Sequence, residues 1–203
     1  IKPHFADYEP GSYVNGGVLT IVAGELAKAA FQHGFEKYGV DILDRILKLV
    51  DKYKGKLPVG YKPDGTVDSG IPDNWGQAAV YSAMIEGLAG VVDKGCLFKY
   101  VEISPRWMAA SLDNIEVEVT YGPTEKQVKY AYQHNKAGKQ ISLKLSGNAE
   151  KYCIRLMLPE GKSSAKAEVD GAPIPSKFEQ MRATNYLVLE NIEGGNKSIK
   201  VKY

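Results

Sequence analysis

Near the N-terminus, Tyr8-Glu9-Pro10-Gly11-Ser12-Tyr13-Val14-Asn15-Gly16-Gly17 gathers residue types suited to holding a polar ligand. Tyr13 and Asn15 supply a hydroxyl and an amide, and Gly16 supplies backbone freedom where a loop meets a helix. A second stretch, Asp73-Asn74-Trp75-Gly76-Gln77, repeats the arrangement. Trp75 could stack on a sugar ring or seal a core, and Gln77 could bond a hydroxyl or its own helix start. Asp73 is by default a helix cap, yet its position would face the same mouth. Tyr13, Asn15, Gly16, Asp73, Trp75 and Gln77 are therefore candidate substrate-binding residues, since loops at the starts of two buried helices converge on one pocket. The plainer reading is that these glycines only make tight helix starts. General acid–base hydrolysis calls for a pair of positioned carboxyl groups. Glu9 is the weak catalytic candidate, with Asp7 behind it, and both also read as solvated loop or capping residues. Asp64 and Asp68 read as surface turn residues, His33 as a packing histidine, and no complete acid–base pair is visible.

The bulk numbers exclude several other classes. Among 203 residues, 26 basic and 24 acidic side chains are interspersed, so no basic stripe marks a nucleic-acid partner. His4, His33 and His134 are too far apart for a zinc pattern, and no metal or organic cofactor is indicated. Cys96 and Cys153 make no disulfide framework and read as buried free thiols. The longest apolar runs are broken by Glu25, Lys28 and Glu86, so no membrane span is expected. The chain starts at Ile1 with no signal-peptide pattern, which reads as a processed or truncated piece of unspecified compartment.

The elements that must position these residues follow from periodicity. Apolar residues from Val18 to Tyr38 cover most of a helical circumference, predicting a helix buried on several sides and ended by Gly39. Asp41 is expected to cap a second, half-exposed helix to about Tyr53, antiparallel to the first. Pro58, Pro63 and Pro72, with Gly55, Gly60, Gly65 and Gly70, make residues 55–73 a long loop. A third helix, apolar nearly all round, is expected from Asn74 to about Asp93. The order inner, outer, inner leaves two helices that one outer helix cannot cover, and the uncovered surface would be costly. Neighbours are therefore expected, either more of the same polypeptide or another chain.

After Gly95 the period changes to two. Strands are predicted at 99–103, 115–121, 127–133, 140–145, 152–158, 165–169, 186–190 and 197–203, a count and spacing that indicate an antiparallel β-sandwich. The fold class is thus α+β, with helices over 1–97 and the sandwich over 98–203. Arg106 and Trp107 are read as anchoring the linker. Tyr121, Tyr130, Tyr132 and Tyr152 read as core or surface-ladder residues before glycan contacts.

The segment Pro10-Gly11-Ser12-Tyr13-Val14-Asn15-Gly16-Gly17-Val18 resembles the Pro-Gly…Asn-Gly-Gly segment before a late inner helix in six-hairpin, (α/α)6-barrel glycosidases, a clan that includes disaccharide phosphorylases. Asn74-Trp75-Gly76-Gln77-Ala78-Ala79 and Glu86-Gly87-Leu88-Ala89-Gly90-Val91 resemble the clan's last inner helix. Phe98 through Ile103-Ser104-Pro105 resembles its post-barrel strand. The resemblance, over residues 8–107, implies the C-terminal portion of a glycoside hydrolase with a carbohydrate substrate, completed by a missing N-terminal part of the barrel. Ile21 and Trp75-Gly76-Gln77 stand where phosphorylases of the clan hold phosphate, which favours hydrolysis over a glycoside phosphorylase. Val59-Gly60-Tyr61-Lys62-Pro63 has glycine where many of its hydrolases carry a glutamate. A non-catalytic carbohydrate-binding or assembly protein is the alternative from another class.

Overall fold

A computed structural model of the chain describes residues 8–203, so His4 and Asp7 lie outside the described residues. The fold is α+β and divides into two compact units, Ile1–Gly87 and Leu88–Tyr203.

The first unit carries β1 (Val18–Leu19), α1 (Thr20–Gln32), α2 (Glu36–Lys52), β2 (Gly60–Tyr61), β3 (Val67–Ser69) and α3 (Asn74–Ser82). The break between α1 and α2 falls earlier than Gly39. Gly34, at φ +78°, makes the turn because a side chain is strained in that left-handed region. Gly39 instead lies inside α2, where it faces the Phe31 ring, and Asp41 pairs with Arg45 one turn on, at 2.9 Å, instead of capping. α2 has the expected amphipathic pattern, burying Ile42, Leu43 and Ile46.

α1 and α3 run parallel. A Cβ on Gly76 would collide with Thr20, one on Gly24 with Ala79 and Val80, and one on Gly87 with Phe31, so contacts advance together along both helices. Lys28 adds a bond to the Ser82 hydroxyl at 2.8 Å and an ion pair with Glu86 at 2.6 Å. Small residues let the backbones approach, and the sides turned away stay uncovered. Val22 is 57% exposed and Tyr81 59%, with Leu26 and Ile85 also exposed. The helix from Asn74 is shorter than periodicity suggests: after Ser82 it loosens into a π-helical turn, Ala83–Leu88. Residues 55–73 form no helix, as expected, but they are not structureless: β2 pairs with both β1 and β3, antiparallel.

In the second unit, β4 (Val91–Asp93), β5 (Tyr100–Ile103), β9 (Lys151–Met157), β13 (Thr184–Glu193) and β12 (Lys177–Met181) form a five-stranded sheet in the order β12-β13-β9-β5-β4. β6 (Asn114–Thr120), β7 (Gln127–Asn135), β8 (Gln140–Gly147), β14 (Lys197–Lys202), β10 (Lys166–Val169) and β11 (Ala172–Ile174) form a six-stranded sheet in the order β11-β10-β14-β8-β7-β6. Pairing is antiparallel except that β5 lies parallel to β9. Both sheets contribute alternate residues to one core, among them Val101, Ile154 and Leu187 from the first and Tyr132, Leu143 and Val201 from the second. Residues 91–93 join a sheet instead of ending a helix, because Gly90 at φ +68° turns the chain and Val91 pairs with Ile103.

Arg106 and Trp107 belong to this unit. The Trp107 indole Nε1–H donates to the Tyr130 hydroxyl at 2.7 Å, which donates on to the Ala89 carbonyl at 2.7 Å. Tyr130, Tyr132 and Tyr152 are core residues, whereas Tyr121 lies exposed against the Phe98 ring. Both cysteines are free, but neither is fully buried as expected: Cys153 is half-buried, and Cys96 is exposed because it opens the short turn Cys96–Phe98, outside the alternating strands.

Candidate functional site

The common N-terminal end of α1 and α3 gathers most of the residues singled out from the sequence. The first loop is a run of turns, closed by the Gly11 amide donating to the Asn15 carbonyl at 2.7 Å and the Gly17 amide to the Tyr13 carbonyl at 2.9 Å. Asn15 spends its amide within the loop, donating to the Tyr8 carbonyl at 2.8 Å, so its side chain builds the loop first. The Tyr8 and Tyr13 rings lie 5.1 Å apart at a tilt of 52°, a spacing usual for aromatic pairs.

A carboxylate read from sequence as a turn residue holds this loop. Asp68, on β3, accepts the Ser12 hydroxyl at 2.7 Å and the Tyr13 amide at 2.6 Å. The bond from Ser12 and then that from Tyr13 hold the Asp68 carboxyl below its ordinary range. Asp68 thus ties the loop before α1 to the segment before α3. No local pattern reveals it, since the partners are more than fifty residues apart. Asp64 behaves as read, accepting the Thr66 amide and hydroxyl in an exposed turn.

The second segment is anchored from below. Thr20, fully buried, donates its hydroxyl to the Pro58 carbonyl at 2.8 Å while its amide donates to the Val59 carbonyl at 3.0 Å. Asp73 is a helix cap: its carboxylate accepts the Gly76 amide at 2.7 Å and the Trp75 amide at 3.3 Å, satisfying donors that α3 cannot. Buried and engaged there, it serves the helix start. Gln77 is half-buried, its amide donating to the Asp73 carbonyl at 3.1 Å. Trp75 is 76% exposed on the first turn, so sealing the core is excluded and its ring faces solvent.

Glu9 is exposed, and among the described residues its carboxylate takes no hydrogen bond. Asp64, Asp68 and Asp73 are all committed to turns and caps, so among the described residues Glu9 is left without a second free carboxylate at this end. At Gly60 a Cβ would meet the end of the Leu19 side chain at 3.1 Å, so a glutamate there would require that side chain to shift by a few tenths of an ångström. Its neighbour Tyr61 is fully buried, and burial, with the Tyr53 ring nearby, pushes its hydroxyl up to about 12. His33 is exposed at the C-cap of α1, at the opposite end of that helix from this site. Among the described residues no group of three or more His, Cys, Asp or Glu is placed to hold a metal ion, and no helix is long and apolar enough to cross a membrane.

Neither a protein-family model nor a curated protein matches this sequence. The solved structures that resemble it include glycoside hydrolases, at low identity and partial coverage. An α-L-rhamnosidase from Dictyoglumus thermophilum is 13% identical with a TM-score of 0.44, over 68% of this chain and 15% of that one. A GH127 β-L-arabinofuranosidase from Geobacillus stearothermophilus T6 is 12% identical with a TM-score of 0.39, over 91% of this chain and 31% of that one. The chain therefore spans less than a third of the length of either. Likeness of this degree fixes neither activity nor substrate.

Proposed function

We propose that this chain is the C-terminal portion of a glycoside hydrolase of the (α/α)6-barrel kind, in which it supplies substrate-holding loops and not the acid–base pair. The observation that carries the reading is that α1 and α3 are parallel, with their N-terminal loops clamped together by Asp68 and an exposed Trp75 beside them. A solvent-facing indole at a helix start suits a sugar's apolar face. The uncovered apolar sides of α1 and α3 fit helices supplied by an upstream part of the same polypeptide. With Asp64, Asp68 and Asp73 structurally engaged, the general acid and base would come from that part.

Tryptophan emission tests the sugar contact, because the chain has only two tryptophans and Trp107 is hydrogen-bonded inside the second unit. Neutral oligosaccharides added to this chain should protect Trp75 from acrylamide quenching, and Trp75→Phe should abolish the protection. Unaltered quenching with rhamno-, arabino-, gluco- and xylo-oligosaccharides would remove the helix ends as a sugar site.

A further inference from the structure

The solvent face of the six-stranded sheet holds a trough that the helical end does not account for. It comprises two joined depressions of about 410 Å³ and about 380 Å³, which share Glu116, Ala131 and Lys144. Register explains the shape. The alternate residues Val117, Tyr130, Tyr132, Leu143 and Leu145 turn toward the core, so their neighbours line the outside in rungs. In the middle rung Glu116 lies opposite Ala131, which lies opposite Lys144. Glu116 and Lys144 are thus two strand spacings apart, about 10 Å, with a methyl group as the floor between them. Among the described residues neither forms an ion pair. One rung along, where Glu118 and Lys129 are adjacent, they do pair, at 2.9 Å, and close that end. At the other end Asn114, Gln133 and Ser142 stand in register as amides and a hydroxyl.

This lining selects a chemistry. One wall is an anionic acceptor and the other a cationic donor, so their charges offset and neither a polyanion nor a polycation is favoured. The rung at the open end presents two amides and a hydroxyl. No large apolar side chain projects into the trough, which suits neither an acyl chain nor an apolar peptide. A ligand whose groups both donate and accept, carries no net charge and is flat enough to lie on a methyl floor satisfies all of these. We infer that the face of β6–β8 centred on Ala131 is a binding site for a short neutral oligosaccharide, held between Glu116 and Lys144. The inference shares a ligand class with the function proposed above but stands on different residues in the other unit.

The test is a ¹H–¹⁵N titration of the full chain with maltotetraose, cellotetraose, xylotetraose and mannotetraose, and with tetragalacturonate as the acidic counterpart. At least one neutral probe should shift the amides of residues 114–118, 129–133 and 142–146 saturably. Ala131→Leu, which fills the floor with a residue that strands accommodate, should reduce that binding at least tenfold without moving the thermal midpoint. Lys144→Met should weaken it while leaving the Glu118–Lys129 rung intact. The site is overturned if no neutral probe shifts these amides, if Ala131→Leu leaves the shifts unchanged, or if only tetragalacturonate binds. Shifts confined to Tyr13, Trp75 and Gln77 would also overturn it, while supporting the helix-end site.

Discussion

At the scale of single residues, Asp68 and His134 make the sharpest predictions. Asp68 clamps the first loop through its charged form, so its depressed carboxyl stabilises the loop above the ordinary carboxylate range and releases it as pH falls below that range. The Tyr13 amide resonance should move upfield in acid, and Asp68→Ala should produce the same displacement at neutral pH with faster amide exchange at Tyr13. An unchanged resonance would show that the clamp does not hold in solution. His134 has the opposite electrostatic logic. It is buried, its Nε2 lies 2.7 Å from the Tyr203 hydroxyl, and its Nδ1 lies 3.4 Å from the Asp113 carboxylate, which also meets Lys136 at 2.8 Å. Burial, the dominant cause, holds its pKa below the ordinary histidine value, with Asp113 opposing. The neutral form belongs to the fold, so its stabilisation is complete above about pH 6.5 and declines as pH falls and the unfolded chain takes up the proton. Urea unfolding from pH 7.5 to 5 should show that decline, and His134→Gln should flatten it. Of these features only the Asp73 cap was legible in the sequence, because a cap is a local pattern. Asp68 with Ser12, and His134 with Tyr203, are pairings made by the fold.

At the scale of elements, the contact between α1 and α3 decides whether glycine is a weakness or a requirement. In an exposed helix, alanine in place of glycine would stabilise by about 1 kcal/mol. At Gly24 an added methyl would sit 2.5 Å from the Ala79 carbonyl carbon and 2.7 Å from the Val80 nitrogen, both backbone atoms that cannot rotate away. Gly24→Ala should therefore destabilise the chain by about 1–3 kcal/mol in denaturant unfolding. Adding Ala79→Gly removes the Ala79 Cβ, also 2.7 Å from the added methyl, and should recover only part of it, since the other two obstructing atoms are backbone. A neutral or stabilising Gly24→Ala would mean that the helices are not in this register. The sequence gives the helices and most strands through their periods, yet it misplaces the α1–α2 break at Gly39. Gly34 and Gly39 look alike in sequence, and only the Phe31 ring packed over Gly39 tells a close approach from a turn. The short strands β1 to β3 escape for a similar reason: two or three residues carry no readable alternation, and long-range pairing creates them.

At the scale of the whole molecule, apolar surface is the unresolved cost. Periodicity makes α1 and α3 apolar nearly all round, while the structure packs one side of each through small residues and leaves Val22, Leu26, Tyr81 and Ile85 in solvent. Val22 and Leu26 lie one turn apart on α1, and Tyr81 at the end of α3 lies about one turn from Ile85 in the π-helical turn that continues it, so each helical run bears an apolar stripe and not scattered exposures. Burying one large apolar side chain contributes about 1.5–3 kcal/mol, so covering either stripe is a strong driving force for association. The chain by itself should accordingly bind a hydrophobic dye and self-associate with rising concentration in sedimentation. Leu26→Glu with Tyr81→Glu should diminish both without lowering the thermal midpoint, because these side chains make little of the described core. Extending the polypeptide upstream should abolish dye binding if the covering helices come from the same chain, whereas persistent binding in the extended form would assign the cover to a separate partner. A dilute, dye-silent monomer of the chain alone would mean the stripes need no cover, and the proposal that this unit completes a larger helical barrel would fall with it.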